Sequence, residues 1–235
     1  MQSPRSLKTK TVDKSSAQTL DRGIRVLEVL ADAHSPLNVA TLAARLEVDR
    51  TVVYRLLRTL ADHRLVTKDS AGLIRLGTGL LSLSSKLSGD IQAASASELA
   101  SLASDLGATA FITIEDVGEA VCLAAAEPRH TDVHIAYRAG QRHPLDQGAS
   151  SIALLAGRPP VRGERPEIRQ ARIDGYAVSH AEVQSGTVAV GAPVRPGDGE
   201  AVASVAVVAL TGAVDIDAAI ERVVRASETI ARALS

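Results

Sequence analysis

The segment 39–63 constrains this chain more than any other. Two runs with apolar residues at helical spacing, 39–46 and 50–63, are separated by three residues, Glu47-Val48-Asp49. So short a connection makes the two helices cross at once, and Ala43 and Ala44 leave room for a close approach. The first run is expected to bury Leu42, Ala43 and Leu46. In the second, at 100° per residue, Val52, Val53, Leu56, Leu57 and Leu60 share one side. Arg50, Thr51, Tyr54, Arg55 and Arg58 share the other. Asp49 is placed to cap the second helix, its carboxylate accepting from the open amides of the first turn. A preceding helix over 19–30, stopped before Pro36, offers Leu20, Ile24, Leu27, Val29 and Leu30 as its buried stripe.

Beyond the third helix, Leu65-Val66-Thr67-Lys68 and Leu73-Ile74-Arg75-Leu76 flank Asp69-Ser70-Ala71-Gly72 and read as a β-hairpin. A hairpin directly after such a helix is a wing, able to set Lys68 or Arg75 against a phosphate backbone. Three arginines, a threonine and a tyrosine on one helical face suit the major groove. There arginine pairs bidentately with guanine, and Thr or Tyr reaches phosphates and base edges. The charge distribution agrees with this division of labour. Residues 1–88 hold 14 Lys and Arg against 8 Asp and Glu, and residues 89–235 hold 12 against 19. A basic front and an acidic back imply two modules with different partners. The basic segment 1–16 reads as a flexible tail that adds salt-dependent attraction to DNA. One winged module buries little DNA, so paired modules on a palindromic or pseudo-palindromic operator are expected.

The domain reading is therefore a tail (1–16), a winged helix-turn-helix (17–76), a linker helix (77–90) and a back domain (91–235). The linker carries Leu80, Leu81, Leu83 and Leu87, an apolar stripe outside a compact module and hence an expected dimer contact. In the back domain a helix over 92–106 ends at Gly107. Strands are expected at 109–115, 120–126, 132–138, 175–180, 187–194 and 201–210, with a loop at 139–145. A buried helix is expected at 148–156 and a final one at 215–234. Hairpin-linked strands with helices before, between and after them make an α+β domain on one antiparallel sheet.

Several function classes are disfavoured. Aromatic residues make up 2% (Phe111, Tyr54, Tyr137, Tyr176), too few for a base-stacking or sugar-stacking surface. Cys122 is the single cysteine, which excludes an intramolecular disulfide and a Cys-only zinc site, and fits a reduced cytoplasm. Lying mid-strand among alanines, it reads as an inert buried thiol. His130, Asp132 and His134 alternate along an expected strand, but three such residues read more simply as a polar strand edge than as a metal site. The longest apolar stretch, 201–214, is too short for the ~20 residues of a membrane span, and residues 1–16 lack the apolar core of a secretory signal. No phosphate-binding loop, nucleophile elbow or dinucleotide-type glycine spacing is found. No enzyme, metal or cofactor is therefore expected.

The order of elements resembles the IclR family of bacterial transcriptional regulators over about residues 17–235. The likeness is carried by TLDRGIRVLEVLAD, TLAARLEVDRTVVYRLLRTLADHRLV, GYAVSHAEVQSGTVAVGAPV and ASVAVV. The resemblance implies a GAF-like effector domain, homodimers or dimers of dimers, and a small metabolite that changes operator affinity. Matching positions assign the pocket wall to Gln147, Gly148, Ala149, Ser150, Ser179, Thr187, Ala189, Ala206 and Val208. Glu47 and Arg64 stand where the family often has glycine, and would strain a left-handed backbone there. A usual Gly-Lys pair falls on Ser151 and Ile152, and two commonly polar pocket positions fall on Ala206 and Val208. The stretch 156–168 looks shorter than the helical segment usual there. A pocket short of donors favours an apolar or aromatic effector, or none, over a small carboxylate. The expected function is a metabolite-controlled DNA-binding regulator, most simply a repressor. The alternative is a winged-helix interaction and dimerisation scaffold without an effector.

Overall fold

The computed structural model describes residues 17–33, 35–84, 89–131 and 133–235. The expected tail, residues 85–88 of the expected linker, and Asp132 of the weighed metal cluster lie outside the described residues. The chain divides into two compact units between residues 87 and 88.

The first unit runs α1 (Gln18–Ala31), α2 (Val39–Leu46), α3 (Arg50–Asp62), β1 (Val66–Lys68), β2 (Ile74–Leu76) and α4 (Gly79–Ser84). Val26, Leu30, Leu42, Leu46, Val53 and Leu57 form the centre of its core. Leu42 and Val53 are fully buried, and truncating a residue like Leu42 to alanine typically costs about 2–5 kcal/mol. The hairpin is tied to the helices by a short bridge. The Leu37 amide donates to the Ile74 carbonyl at 3.0 Å, and Ile74 returns the bond at 2.7 Å. A close approach follows β2, where Gly77 lies so near the end of α3 that a Cβ would overlap the Arg64 carbonyl.

The expected buried stripe of α1 is corrected by rotation. Gly23, Val26, Val29 and Leu30 are buried, whereas Leu20 and Ile24 are 64% and 48% exposed. Relative to Val26, positions 20 and 24 lie well over 90° around the helix. Periodicity shows that a stripe exists, but contact with α2 and α3 chooses its centre. In α4 no residue is buried, and Leu81 and Leu83 stand exposed.

The second unit runs α5 (Gly89–Leu106), β3 (Thr109–Asp116), β4 (Glu119–Ala126), β5 (Arg142–Pro144), α6 (Ala149–Ala156), α7 (Pro166–Asp174), β6 (Ala177–His180), β7 (Thr187–Val194), β8 (Ala203–Leu210) and α8 (Ile216–Ala233). The strands form one antiparallel sheet in the order β5-β4-β3-β8-β7-β6. Alternation along the strands sorts the side chains. Ile112, Val205 and Val207 enter the core shared with Leu99 and Leu102 of α5 and Val223 and Ile230 of α8. Phe111, Ala206 and Val208 point to the opposite face, with Ile135 and Tyr137. α6 packs on β7 and against α7.

Two expectations change here. The described part of 132–138 is not a strand, and β5 lies instead within the expected 139–145 loop. The edge of β4 is taken by the returning chain: Gly140 donates to Cys122, Cys122 donates to Gln141, and β5 continues the pairing. Ile135 and Tyr137 are buried all the same, and the Ile135 carbonyl accepts from Thr109 Oγ1. The second change is α7, which has no counterpart in the expected elements. Its local signals are a proline in the first turn and Gly175 as a left-handed cap.

Candidate functional site

The N-terminal unit presents α3 as an exposed, well-started helix. Asn38 Oδ1 caps α2 by accepting from the Thr41 amide at 2.8 Å. Asp49 Oδ1 caps α3 by accepting from the Thr51 amide at 2.7 Å. This bond is the main reason that the Asp49 carboxyl lies below its ordinary value. Between the helices Glu47 adopts φ 55°, ψ 42°, and its amide donates to the Ala43 and Ala44 carbonyls. The turn is thus made by the left-handed conformation that the resemblance implied would be strained at Glu47.

Arg50, Thr51, Tyr54, Arg55 and Arg58 are all exposed, and Val53, Leu56, Leu57 and Leu60 are buried behind them. Among the described residues Arg50, Arg55 and Arg58 form no ion pair. Three guanidiniums are therefore available on one side of a 13-residue helix. On the hairpin, Lys68 is exposed and Arg75 is engaged. Arg75 meets Asp69 Oδ2 at 3.0 Å, while Asp69 Oδ1 accepts from the Ala71 and Leu73 amides. The Leu73 amide is the largest influence holding the Asp69 carboxyl low, with Arg75 adding to it. Arg75 stays near the wing surface, but any phosphate must share it with Asp69.

The C-terminal unit holds a pocket between the sheet and the N-terminus of α6. Of the nine expected wall residues, Gly148, Ala149, Ser150 and Ser179 line it, as do Thr187, Ala189 and Val208. Gln147 and Ala206 do not. Gln147 is exposed, and Ala206 is the cross-strand neighbour of Phe111, fully buried behind the lining. Residues outside the sequence reading complete the wall: Phe111, Ile135, Tyr137 and His143 on the inside, and Glu182, Val183 and Gln184 toward the outside. The rings of Phe111 and Tyr137 stack at 4.2 Å, and His143 meets Tyr137 edge-on at 6.5 Å. Two of the chain's four aromatic residues are spent on this wall, and their rarity was the available signal.

The polar chemistry centres on the start of α6. The Ala149 amide donates to Ser179 Oγ at 2.9 Å, and the Gly148 amide donates to Glu182 Oε2 at 2.9 Å. Burial pushes the Glu182 carboxyl up, but Arg165 and the Gly148 amide outweigh it and hold it below its ordinary value. The far end of α6 is complemented by cations, with Arg195 donating to Ala156 at 2.9 Å and Arg172 to Leu155. Carboxylate at the head and guanidinium at the tail both suit the helix dipole. Burial lowers the His143 pKa from 6.5, and its Nδ1 lies 3.0 Å from the Pro144 carbonyl. Cys122, behind the pocket, is pushed up to about 12 by burial, which makes its thiol unreactive near neutral pH.

Among the described residues no three His, Cys, Asp or Glu side chains gather as a metal site, and His134 pairs with Glu127 at 3.3 Å. Among the same residues no helix is long and apolar enough to cross a membrane.

Comparison with known proteins agrees with this geometry. Residues 19–70 match the IclR helix-turn-helix domain family. An HTH-type transcriptional regulator of Mycobacterium tuberculosis is 28% identical over 200 residues, covering 76% of this chain and 77% of that protein. The crystal structure of an IclR transcriptional regulator from Alicyclobacillus acidocaldarius superposes with a TM-score of 0.72 at 23% identity, covering 94% of this chain and 100% of that one. An IclR homolog from Microbacterium hydrocarbonoxydans, complexed with 4-hydroxybenzoate, gives 0.76 at 17% identity over 92% and 98% of the two chains. At these identities the two structures speak for the fold.

Proposed function

Because this chain is an IclR-family transcriptional regulator with a helix-turn-helix domain, we propose that it acts on chromosomal DNA in the cytoplasm as a repressor released by a small metabolite. The observation that carries this reading is the exposed arginine face of α3, three guanidiniums without ion-pair partners among the described residues, on a capped helix. Arg50, Arg55 and Arg58 read base edges and phosphates, Thr51 and Tyr54 fix the register, and Lys68 and Arg75 hold the wing against the backbone. Two such modules, in a homodimer or a dimer of dimers, meet the two halves of a palindromic operator.

The effector binds in the C-terminal pocket, against the expected wall of Gly148, Ala149, Ser150, Ser179, Thr187, Ala189 and Val208. Among the described residues that line it, Glu182 is the one carboxylate and none is a Lys or Arg, Arg165 reaching Glu182 from outside the lining. That lining, with the Phe111–Tyr137 stack, supports an apolar or aromatic ligand. The 4-hydroxybenzoate held by the Microbacterium relative is an aromatic molecule of that kind. The effector shifts the balance between two arrangements of the paired winged modules, and only by its difference in affinity for them.

The test is binding to random duplex DNA across a salt series, for the natural chain and Arg55→Ala. The natural chain should lose affinity steeply with salt. Arg55→Ala should bind an operator more weakly by about 1–3 kcal/mol where the residue reads a base, with dimerisation intact. Absence of DNA binding at every salt concentration would favour the scaffold alternative, and loss of the dimer would put Arg55 on a subunit contact.

A further inference from the structure

The pocket's outer wall is the loop 181–186 between β6 and β7, which contributes Glu182, Val183 and Gln184. Residues 183–186 are exposed, and at the β7 end the loop is held by the Gln184 carbonyl accepting from Thr187 Oγ1 and the Gly186 carbonyl accepting from the Thr211 amide, so Glu182 is its side-chain tie to the body of the domain. Its carboxylate accepts from the Gly148 amide at 2.9 Å and from both arms of Arg165, at 3.1 and 3.2 Å. Arg165 is itself well anchored. Its backbone occupies the N-cap position of α7 immediately before Pro166, and its side chain donates to the Asp146 carbonyl and pairs with Glu167. Next to this tie, Val183 sits over Gly148 at φ 84°, where a Cβ would come within 2.8 Å of a Val183 methyl.

In this arrangement the cavity measures about 30 Å³. That admits a water or two, whereas small-molecule sites run to roughly 300–1,000 Å³. The sheet and α6 are tightly packed, so the wall that can yield is the loop. It can swing out once Glu182 gives up the Gly148 amide and the Arg165 guanidinium. Both charged side chains are partly exposed, at 25% and 32%, and an ion pair so placed exchanges readily with water.

We propose that Arg165 and Glu182 form a latch on the effector pocket: joined, they hold loop 181–186 closed over the start of α6, and their parting admits the ligand. This rests on the reading of the cavity as the effector site. Arg165 does not line the cavity, so it is a positioning residue that acts through Glu182. The apparent dissociation constant equals the intrinsic one divided by the unlatched fraction. Weakening the latch therefore tightens binding.

The experiment compares the full chain with Arg165→Met and Glu182→Gln by NMR-detected hydrogen exchange and by calorimetric titration with phenol. Two amides report the latch directly: Gly148, bonded to Glu182, and Ala181, bonded to the Thr187 carbonyl at the loop's base. Arg165→Met should speed exchange of both by about two- to five-fold, leave the amides of α3 unchanged, and tighten phenol binding by a comparable factor. Glu182→Gln keeps an acceptor for the Gly148 amide and should move both readouts the same way by less, so the inference stays testable if the arginine variant misfolds. Unchanged exchange in the variants overturns the latch, and faster exchange with weaker phenol binding overturns its role as a gate. Faster exchange with no phenol binding by any of the three proteins supports the latch and overturns the effector-pocket reading instead.

Discussion

Replacing Glu47 by glycine should stabilise the N-terminal unit, even though it deletes a side chain from the turn between α2 and α3. Glu47 sits at φ 55°, ψ 42°, where its amide closes the end of α2 on the Ala43 and Ala44 carbonyls. The turn needs that backbone, and a side chain there costs about 1–2 kcal/mol. Glycine relieves this strain but gives the unfolded chain more freedom, which returns about 0.5–1 kcal/mol. The net gain is about 0.5–1 kcal/mol, since the exposed Glu47 side chain makes no hydrogen bond or ion pair among the described residues. Arg64 repeats the situation at φ 59°, its amide bonded to Ala61 and its carbonyl to the Gly79 amide. For a unit of this size, roughly 4–8 °C per kcal/mol, each variant should raise the melting midpoint by about 2–8 °C. Calorimetry on the full chain, with the N-terminal transition assigned from exchange of α3 amides, measures the shift. Glu47→Ala is the control: it removes the charge but keeps the strained backbone, so it should leave the midpoint nearly unchanged. Equal stabilisation by alanine and glycine would refute the backbone argument, and so would a lower midpoint for both glycine variants.

The pocket histidine should make the C-terminal unit sensitive to mild acid. Burial lowers the His143 pKa below 6.5, so below that pH the unfolded chain binds more protons than the folded one. Stability then falls as pH drops from about 6.5 toward the folded-state value, and His143→Gln should flatten the change in urea midpoint between roughly pH 7.5 and 5.5. An identical slope in the variant would mean that another group titrates. Thr113 and Ser204 are cross-strand neighbours on β3 and β8, both fully buried with hydroxyls that have no hydrogen-bond partner among the described residues. An unsatisfied buried hydroxyl costs about 1–3 kcal/mol. Thr113→Val and Ser204→Ala should therefore be neutral to stabilising in thermal melts, and a marked loss in either would reveal a partner for that hydroxyl.

Much of the N-terminal unit was legible because its determinants are local. Asp49 stands one residue ahead of the helix it caps, and the arginine and leucine faces of α3 follow from 100° per residue. The strain at Glu47 and Arg64 was foreseen from the resemblance, because both match positions where the family often has glycine. The centre of the α1 stripe could not be foreseen. Leu20 and Ile24 are as apolar as Val26, and contact with α2 and α3 alone separates them. In the C-terminal unit, alternation found β3, β4, β7 and β8 but not β5, whose three residues pair with β4 only because the chain turns back at Gly140.

What this sequence determined by itself is the set of local devices: caps, turns, periodic faces, and the split between a basic front and an acidic back. These depend on residues within a turn or two of one another, where backbone geometry leaves few alternatives. The pocket was decided by tertiary structure. Phe111, Tyr137, Gly148, Glu182 and Val208 converge because strand register and the seating of α6 bring them together, and Arg165 reaches Glu182 because α7 begins where it does. No local pattern encodes those distances, since each depends on the whole core closing in one register.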